Sequence, residues 1–391
     1  MIITFRDNGH HLSYDTLLRE WIGQSESTIL RARQLLAQSE RLGIHFRRPY
    51  FWKKIQETFP EGPLFFSYWD DVIPFWLKPE LRLALCPRGI GSIWMNTWGF
   101  RSQGVINPLA WRKYSFLNDE NLVLGILDEG VAEALEQLPQ NIKPRSKIFW
   151  MPDFTDVSLA QEDDPLVNDV LQFADGRKIL LCVGVMNGFK NLELLAEVAQ
   201  RLSPQKWVVA ILGEVHDEKG LARLEELSPK NMFLRKGRLS SEGVFNLILK
   251  HADLIWGAYR NWEGSSNIQV KAGLLKVPIL CLDGYLMAER NQRYHLGITG
   301  NEKEILDWAS RDFRVLEDWK NSSTQHQFEK NFGSESARLR FLQIYRELKS
   351  LVIEKDKINW CSKQRARVYY LMSLSYQKFK TLLKPFKNKS S

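Results

Sequence analysis

Cysteine is scarce in this chain. Its 391 residues hold four, Cys86, Cys182, Cys281 and Cys361, widely spaced and without the short intervals of a metal site or a paired framework. A disulfide-stapled scaffold is therefore excluded. Cys182 and Cys281 lie in apolar, strand-like runs, where inert buried thiols and a reducing compartment are expected. Long apolar runs are missing too, so no membrane-spanning helix is expected. The first residues lack the charged and apolar regions of a secretory signal, which points to the cytoplasm. No HExxH, paired CxxC or Walker A loop occurs, and no internal repeat is visible. An excess of positive charge is absent from the body. Residues 355–391 hold ten Lys/Arg and one acid, a net +9 out of the chain's +8, so the rest stands at −1. A neutral body argues against nucleic acid as a partner.

What is present is an ordinary globular composition, 44% apolar and 26% charged, with enough length for two cores. Short apolar runs at 2–5, 64–68, 81–85, 123–127 and 148–151 each end in turn or polar residues, with helical patterns between several of them. A second series starts at 178. Strands are expected at 178–183, 207–212, 232–235, 253–256 and 277–282, and helices at 191–202, 221–227, 240–251 and 267–275. This alternation predicts an α/β protein of two doubly wound Rossmann-like domains facing each other across a cleft. The division reads as 1–152, an acidic linker at 153–177, a second domain at 178–345, and a basic helix and tail at 346–391. Ligands of such sheets bind at the carboxyl ends of the strands.

Two stretches carry the chemistry. In the first, a strand ends at Gly184 and Lys190-Asn191 opens a helix. A lysine at a helix start opposes the helix dipole and is better placed to meet an anion; a solvated lysine is the plain alternative. In the second, a strand at 253–256 leads to Trp262-Glu263-Gly264-Ser265-Ser266-Asn267 and a helix. Small residues at a helix start expose backbone N–H groups suited to phosphate. Ser266 and Gln269 also match a capping box, which would explain both without any ligand.

Taken with Gly237-Arg238-Leu239 and the helix before Val277-Pro278, the order and spacing resemble the donor-binding half of GT-B glycosyltransferases, family 4 in particular, over residues 178–300. The first half agrees in layout. The resemblance implies that Lys190 contacts the diphosphate of a nucleotide-sugar donor and that Glu263 reads the donor sugar. It implies that Gly184 and Asn191 flank the diphosphate, that Gly237, Arg238 and Leu239 line the base pocket, and that Gly264, Ser265, Ser266 and Asn267 seat the phosphates. It implies retention of configuration, no metal and no cofactor beyond the substrate. Where the family's Glu-x7-Glu motif has its second carboxylate, a ribose reader, this chain has Lys271, and an ammonium cannot accept a hydroxyl's hydrogen bond. Ribose recognition must then differ, the donor must be unusual, or activity is lost. A non-catalytic sugar-nucleotide or glycan-binding protein on the same fold is the alternative that Lys271 favours.

Other candidates are weaker. His10 and His11, Asp70 and Glu129 sit near strand ends of the first half, as acceptor contacts or as plain surface and strand-end residues. The spacing of Asp70-Asp71 is wrong for an Asp-x-Asp metal site. Residues 363–386 show an apolar stripe with Tyr and Phe among lysines. Such a helix suits an anionic membrane surface, on the inner face of the membrane, or packs back on the first domain.

Overall fold

The computed structural model describes residues 2–3, 10–23, 63–70, 72, 89–102, 104–161, 163–227, 230–319 and 325–351. The strand expected at 81–85, Asp71, Cys86, Cys361 and the stretch at 363–386 lie outside the described residues.

The first half carries β1 (Ile2–Ile3), helix α1 (His10–Trp21), β2 (Leu64–Phe66) and β3 (Ile90–Trp94). A short antiparallel hairpin follows, β4 (Arg101–Ser102) and β5 (Val105–Ile106), then β6 (Leu122–Ile126), helix α2 (Glu129–Glu136) and β7 (Lys147–Trp150). Strands β1, β2, β3, β6 and β7 lie side by side in that order, all parallel. The described residues of β2, β3 and β6 are buried throughout. That is why they read as continuous apolar runs rather than alternating ones. Strand β3 falls outside the runs expected from the sequence and carries Gly91 and Ser92. The glycine is needed there: a Cβ on Gly91 would lie 2.6 Å from side-chain atoms of both Phe65 and Leu348. Ser92 joins the strand by donating its hydroxyl to Phe66 O at 2.6 Å.

The second half begins with helix α3 (Pro165–Ala174), inside the segment read as a linker. Asp164 caps it through Leu166 and Val167 N–H groups, Pro165 is in its first turn, and Val167 and Val170 pack into the core with Ile179 and Val208. There follow β8 (Lys178–Val183), α4 (Leu192–Arg201), β9 (Trp207–Gly213), α5 (Glu218–Leu227), β10 (Met232–Lys236), α6 (Glu242–Lys250), β11 (Leu254–Gly257), α7 (Asn267–Leu275), β12 (Ile279–Leu282), α8 (Leu286–Tyr294), β13 (Gly297–Gly300) and α9 (Glu302–Ala309). The strands form a parallel sheet in the order β10-β9-β8-β11-β12-β13. Strand order runs outward in one direction from β8 and in the other from β11. The crevice beyond the carboxyl ends of these two central strands is the switch point where such sheets bind ligands.

Helices α10 (Gln325–Phe332) and α11 (Ser334–Ser350) close the described chain. Helix α11 returns to the first sheet, where Phe341, Ile344 and Leu348 are buried with Phe65, Val123 and Met151. The boundary expected at 345 and 346 falls within this helix. None of the described helices is long and apolar enough to cross a membrane.

Candidate active site

Three glycines, Gly184, Gly213 and Gly237, stand at the carboxyl ends of the adjacent strands β8, β9 and β10, with φ of +103°, +144° and +117°. A Cβ on Gly213 would come 1.8 Å from Gly184 O, so the strand ends pack backbone against backbone. Above Gly184 the space is open, and the nearest atom to a Cβ built there is Lys190 Nζ, at 3.9 Å. A Cβ on Gly237 would meet nothing within 4 Å. This is a bare backbone edge that a ligand can approach closely.

A tight turn after β8 delivers Lys190. Asn187 starts it by accepting a hydrogen bond from Phe189 N at 3.2 Å, and Asn191 ends it in the left-handed region with φ +52°. The turn is tied to β11, because Trp256 Nε1 donates to Lys190 O at 2.8 Å. The lysine is 8% exposed. Its Nζ donates to Val183 O at 3.0 Å and to the hydroxyl of Tyr259, and it lies 4.3 Å from the centre of the Tyr259 ring. An ammonium has three N–H groups, so one remains for a ligand.

The β11–α7 loop is stitched to the same turn. Arg260 N donates to Phe189 O at 2.9 Å, and the Phe189 ring packs edge-on to Trp262 at 5.2 Å. Trp98, from the first half, reaches across to Trp262 at 5.3 Å, and a Cβ on Gly264 would lie 2.7 Å from its Nε1. Gly264 is therefore what lets the two halves approach. Glu263, half-buried, stands between Trp262 and Gly264. The Lys190 turn and the Glu263 loop, 73 positions apart, thus share one aromatic contact.

Helix α7 starts at Ser266, whose side chain makes no cap. Gln269 is buried and donates to Met287 O at 2.6 Å. The capping box expected at Ser266 and Gln269 is therefore not formed, because a core carbonyl takes the amide. Gln269 N donates to Ser266 O at 2.9 Å, and the Asn267 and Ile268 N–H groups before it are left for an anion.

Ser265 and Asn267 turn their side chains toward the joint between the halves. Ser265 donates to Asp153 Oδ2 at 2.5 Å and accepts from Arg290 Nη1 at 2.6 Å. Asn267 donates to Tyr14 OH at 3.2 Å and accepts from Thr155 Oγ1 at 3.1 Å. Tyr14 in turn donates to Asp153. Burial, with Asp153 beside it, raises the Tyr14 pKa well above its usual value, so the phenol stays protonated. At 265 and 267 the backbone groups are what is left to meet a phosphate.

Several expected contacts are placed elsewhere. Glu129, an acceptor-side candidate, is 5% exposed and forms a forked pair with fully buried Arg290, at 3.0 Å and 2.7 Å. It holds the halves together, because a carboxylate buried this deeply must be paired. Asp70 accepts from Met95 N at 3.1 Å and Asn96 N at 3.3 Å, so it shapes the loop after β3, and burial raises its pKa. Lys271 spends all three N–H groups, on Glu242 at 2.7 Å, Asn246 at 2.5 Å and Asp156 O at 2.7 Å. It has none left for a ribose. Burial lowers its pKa and Glu242 opposes that shift. Arg238 is exposed and Leu239 half-buried beyond Gly237. His10 and His11 open α1. Among the described residues no group of three His, Cys, Asp or Glu side chains is placed to hold a metal.

Tyr259, Gly213, Trp98, Arg290 and Asp153 escaped the reading of the sequence. Gly213 alone carries a local signal, an apolar run ending in glycine; the others are defined by partners distant in the chain.

No family model matches the chain, and no curated protein matches it in sequence. Solved structures do match. HepE of Anabaena in complex with UDP superposes with a TM-score of 0.62 at 11% identity, over 88% of this chain and 99% of that one. A glycosyltransferase from Rickettsia africae gives 0.61 at 13% identity, over 90% and 98%. Sucrose-phosphate synthase from Thermosynechococcus elongatus gives 0.55 at 13%, over 77% of each chain. The fold is GT-B. Within this GT-B frame, the Lys190 turn and the uncapped start of α7 follow the two strands that flank the switch point.

Proposed function

We propose that this chain is a glycosyltransferase that moves a sugar from a nucleoside-diphosphate donor to a glycan or lipid-linked acceptor. The observation that carries the reading is Lys190 Nζ, held beside the open face of Gly184 with an N–H to spare. Departure of the sugar leaves a nucleoside diphosphate, whose growing charge must be met by donors already in place. Lys190 and the first N–H groups of α7 are such donors, and they need no metal. Glu263 accepts hydroxyls of the donor sugar. Trp98, Phe189 and Trp262 pack together along one side of this corner, with Trp98 still exposed. The complexes of HepE with UDP, and with UDP and glucose, support a nucleotide donor. Retention of configuration and a role in cell-surface polysaccharide or glycolipid synthesis belong to the same proposal.

The test is nucleotide release from a panel of UDP-, GDP-, ADP- and dTDP-sugars, with and without a lipid-linked acceptor. Lys190→Ala and Glu263→Ala each abolish release; undiminished turnover in both sinks the reading. The spent Lys271 favours a second one, a binding protein that holds a sugar nucleotide without turning it over. Tight nucleotide binding with no release under any condition selects it. Contact with an anionic membrane through residues 363–391 is also proposed, and liposome binding that survives their deletion counts against it.

A further inference from the structure

Tyr259 is 7% exposed and lies two residues past the end of β11, at the switch point. Its oxygen accepts a hydrogen bond from Lys190 Nζ. Because the ammonium has no lone pair, the phenol cannot return the bond, and its own proton must go elsewhere. Among the described residues no acceptor is aligned with it. A buried O–H without an acceptor is costly, so such a group calls for an explanation. The same holds for the third N–H of Lys190. Lys190 Nζ borders the open space at Gly184, where it is the nearest atom to a Cβ, and the phenol oxygen lies against that same Nζ.

The local chain is built to keep the phenol there. Tyr259 N donates to Gly257 O at 2.8 Å, and Arg260 N to Phe189 O at 2.9 Å, so the residue is pinned on both sides to β11 and the Lys190 turn. The ring also lies against the ammonium, 4.3 Å from its centre, a cation–π contact that holds the side chain in place. No carboxylate is paired with Lys190 among the described residues, so an incoming anion meets an uncompensated cation.

From this geometry we infer that Tyr259 is a second ligand-binding residue of the anion seat, donating its phenolic proton to an oxygen of the donor's diphosphate while its ring fixes Lys190. The inference rests on the proposed function and adds to it: the seat is a Lys–Tyr pair, in which one side chain supplies charge and the other a directed hydrogen bond.

The experiment measures calorimetric affinities of UDP, GDP, ADP and dTDP for the full chain, and the melting temperature without ligand. Tyr259→Phe keeps the ring and its contact with Lys190 and removes only the hydroxyl. The diphosphate that binds best should bind about tenfold more weakly, the cost of one hydrogen bond to a charged group, while the ligand-free melting temperature holds. Lys190→Gln should weaken it further. Tyr259→His restores a ring N–H donor and should recover part of the affinity, which also serves if the Phe variant is not obtained folded. Diphosphate binding that is the same in Tyr259→Phe and the parent protein overturns this inference alone. A parent protein that binds none of the four overturns the proposed function with it.

Discussion

Two buried lysines of the second half show how different a similar burial can be. Lys190 is 8% exposed, meets a backbone carbonyl and a phenol, and borders open space. Lys271 is 1% exposed, and its three N–H groups end on a carboxylate, a side-chain amide and a backbone carbonyl. The first region keeps a charge under-satisfied beside a bare strand end. The second completes its charge and so stitches α6, α7 and the segment after Asp153 together; Asn246 strengthens that seam by donating to Asp156 O and Ser158 O at 3.1 Å and 2.7 Å. Unspent donors mark a place for a ligand, and spent ones mark a structural joint.

The largest expected effect is kinetic. Lys190→Ala should lower the rate of sugar transfer by about 10²–10³-fold, the usual cost of losing one preorganised donor to a developing anion. Lys271→Ala, corrected for the fraction folded, should stay near the parent rate. Equal falls in the two would erase the distinction between seat and joint.

Stability reverses the order. Arg290→Ala should cost about 3–5 kcal/mol in urea unfolding, because Glu129 is left buried without its cation. Lys271→Met should cost about 2–3 kcal/mol by the same measure and leave nucleotide affinity unchanged. Lys190→Met, by contrast, should hold or raise the unfolding midpoint, since an under-satisfied buried charge is maintained against stability. A large loss of stability at Lys190 would make it a second joint.

The smallest effect belongs to the first half. Asp70 has its pKa raised by burial, against the pull of the Met95 and Asn96 N–H groups. A folded pKa above the unfolded one means the folded state takes up the proton first. The Asp70 contribution is then fully present below about pH 4 and is lost as pH rises through the raised value. Asp70→Asn should remove that increment, so the stability difference between parent and variant should change across this window. A constant difference with pH would show an unburied carboxylate.

Much of the second half was legible because its central strands are buried nearly throughout and read as apolar runs, so the run expected at 178–183 coincides with β8; helix α7, expected at 267–275, lies there although six successive residues, Ile268 to Gly273, are buried. Composition misled where packing overrode it. No strand was expected at 90–94, yet β3 runs there with Gly91 in it, because α11 and Phe65 leave no room for a side chain. The acidic stretch after Gln161 looked like a linker and holds α3, whose cap is one of those acids, Asp164. The pairing of Ser266 with Gln269 has the local form of a cap, yet a carbonyl at Met287 outcompetes it.

The sequence by itself determined the two α/β halves and the strand ends where a ligand would sit, which depend on periodicity and on residues close together in the chain. Lys190 and Glu263 became the residues to watch through the resemblance in order and spacing to GT-B glycosyltransferases. Tertiary structure alone decided that Lys190 leans on Tyr259, that Glu129 belongs to Arg290, and that Lys271 is spent on Glu242. Each of those outcomes is a choice of hydrogen-bond partner among groups brought together from distant segments, and burial makes the choice binding by removing water as the alternative.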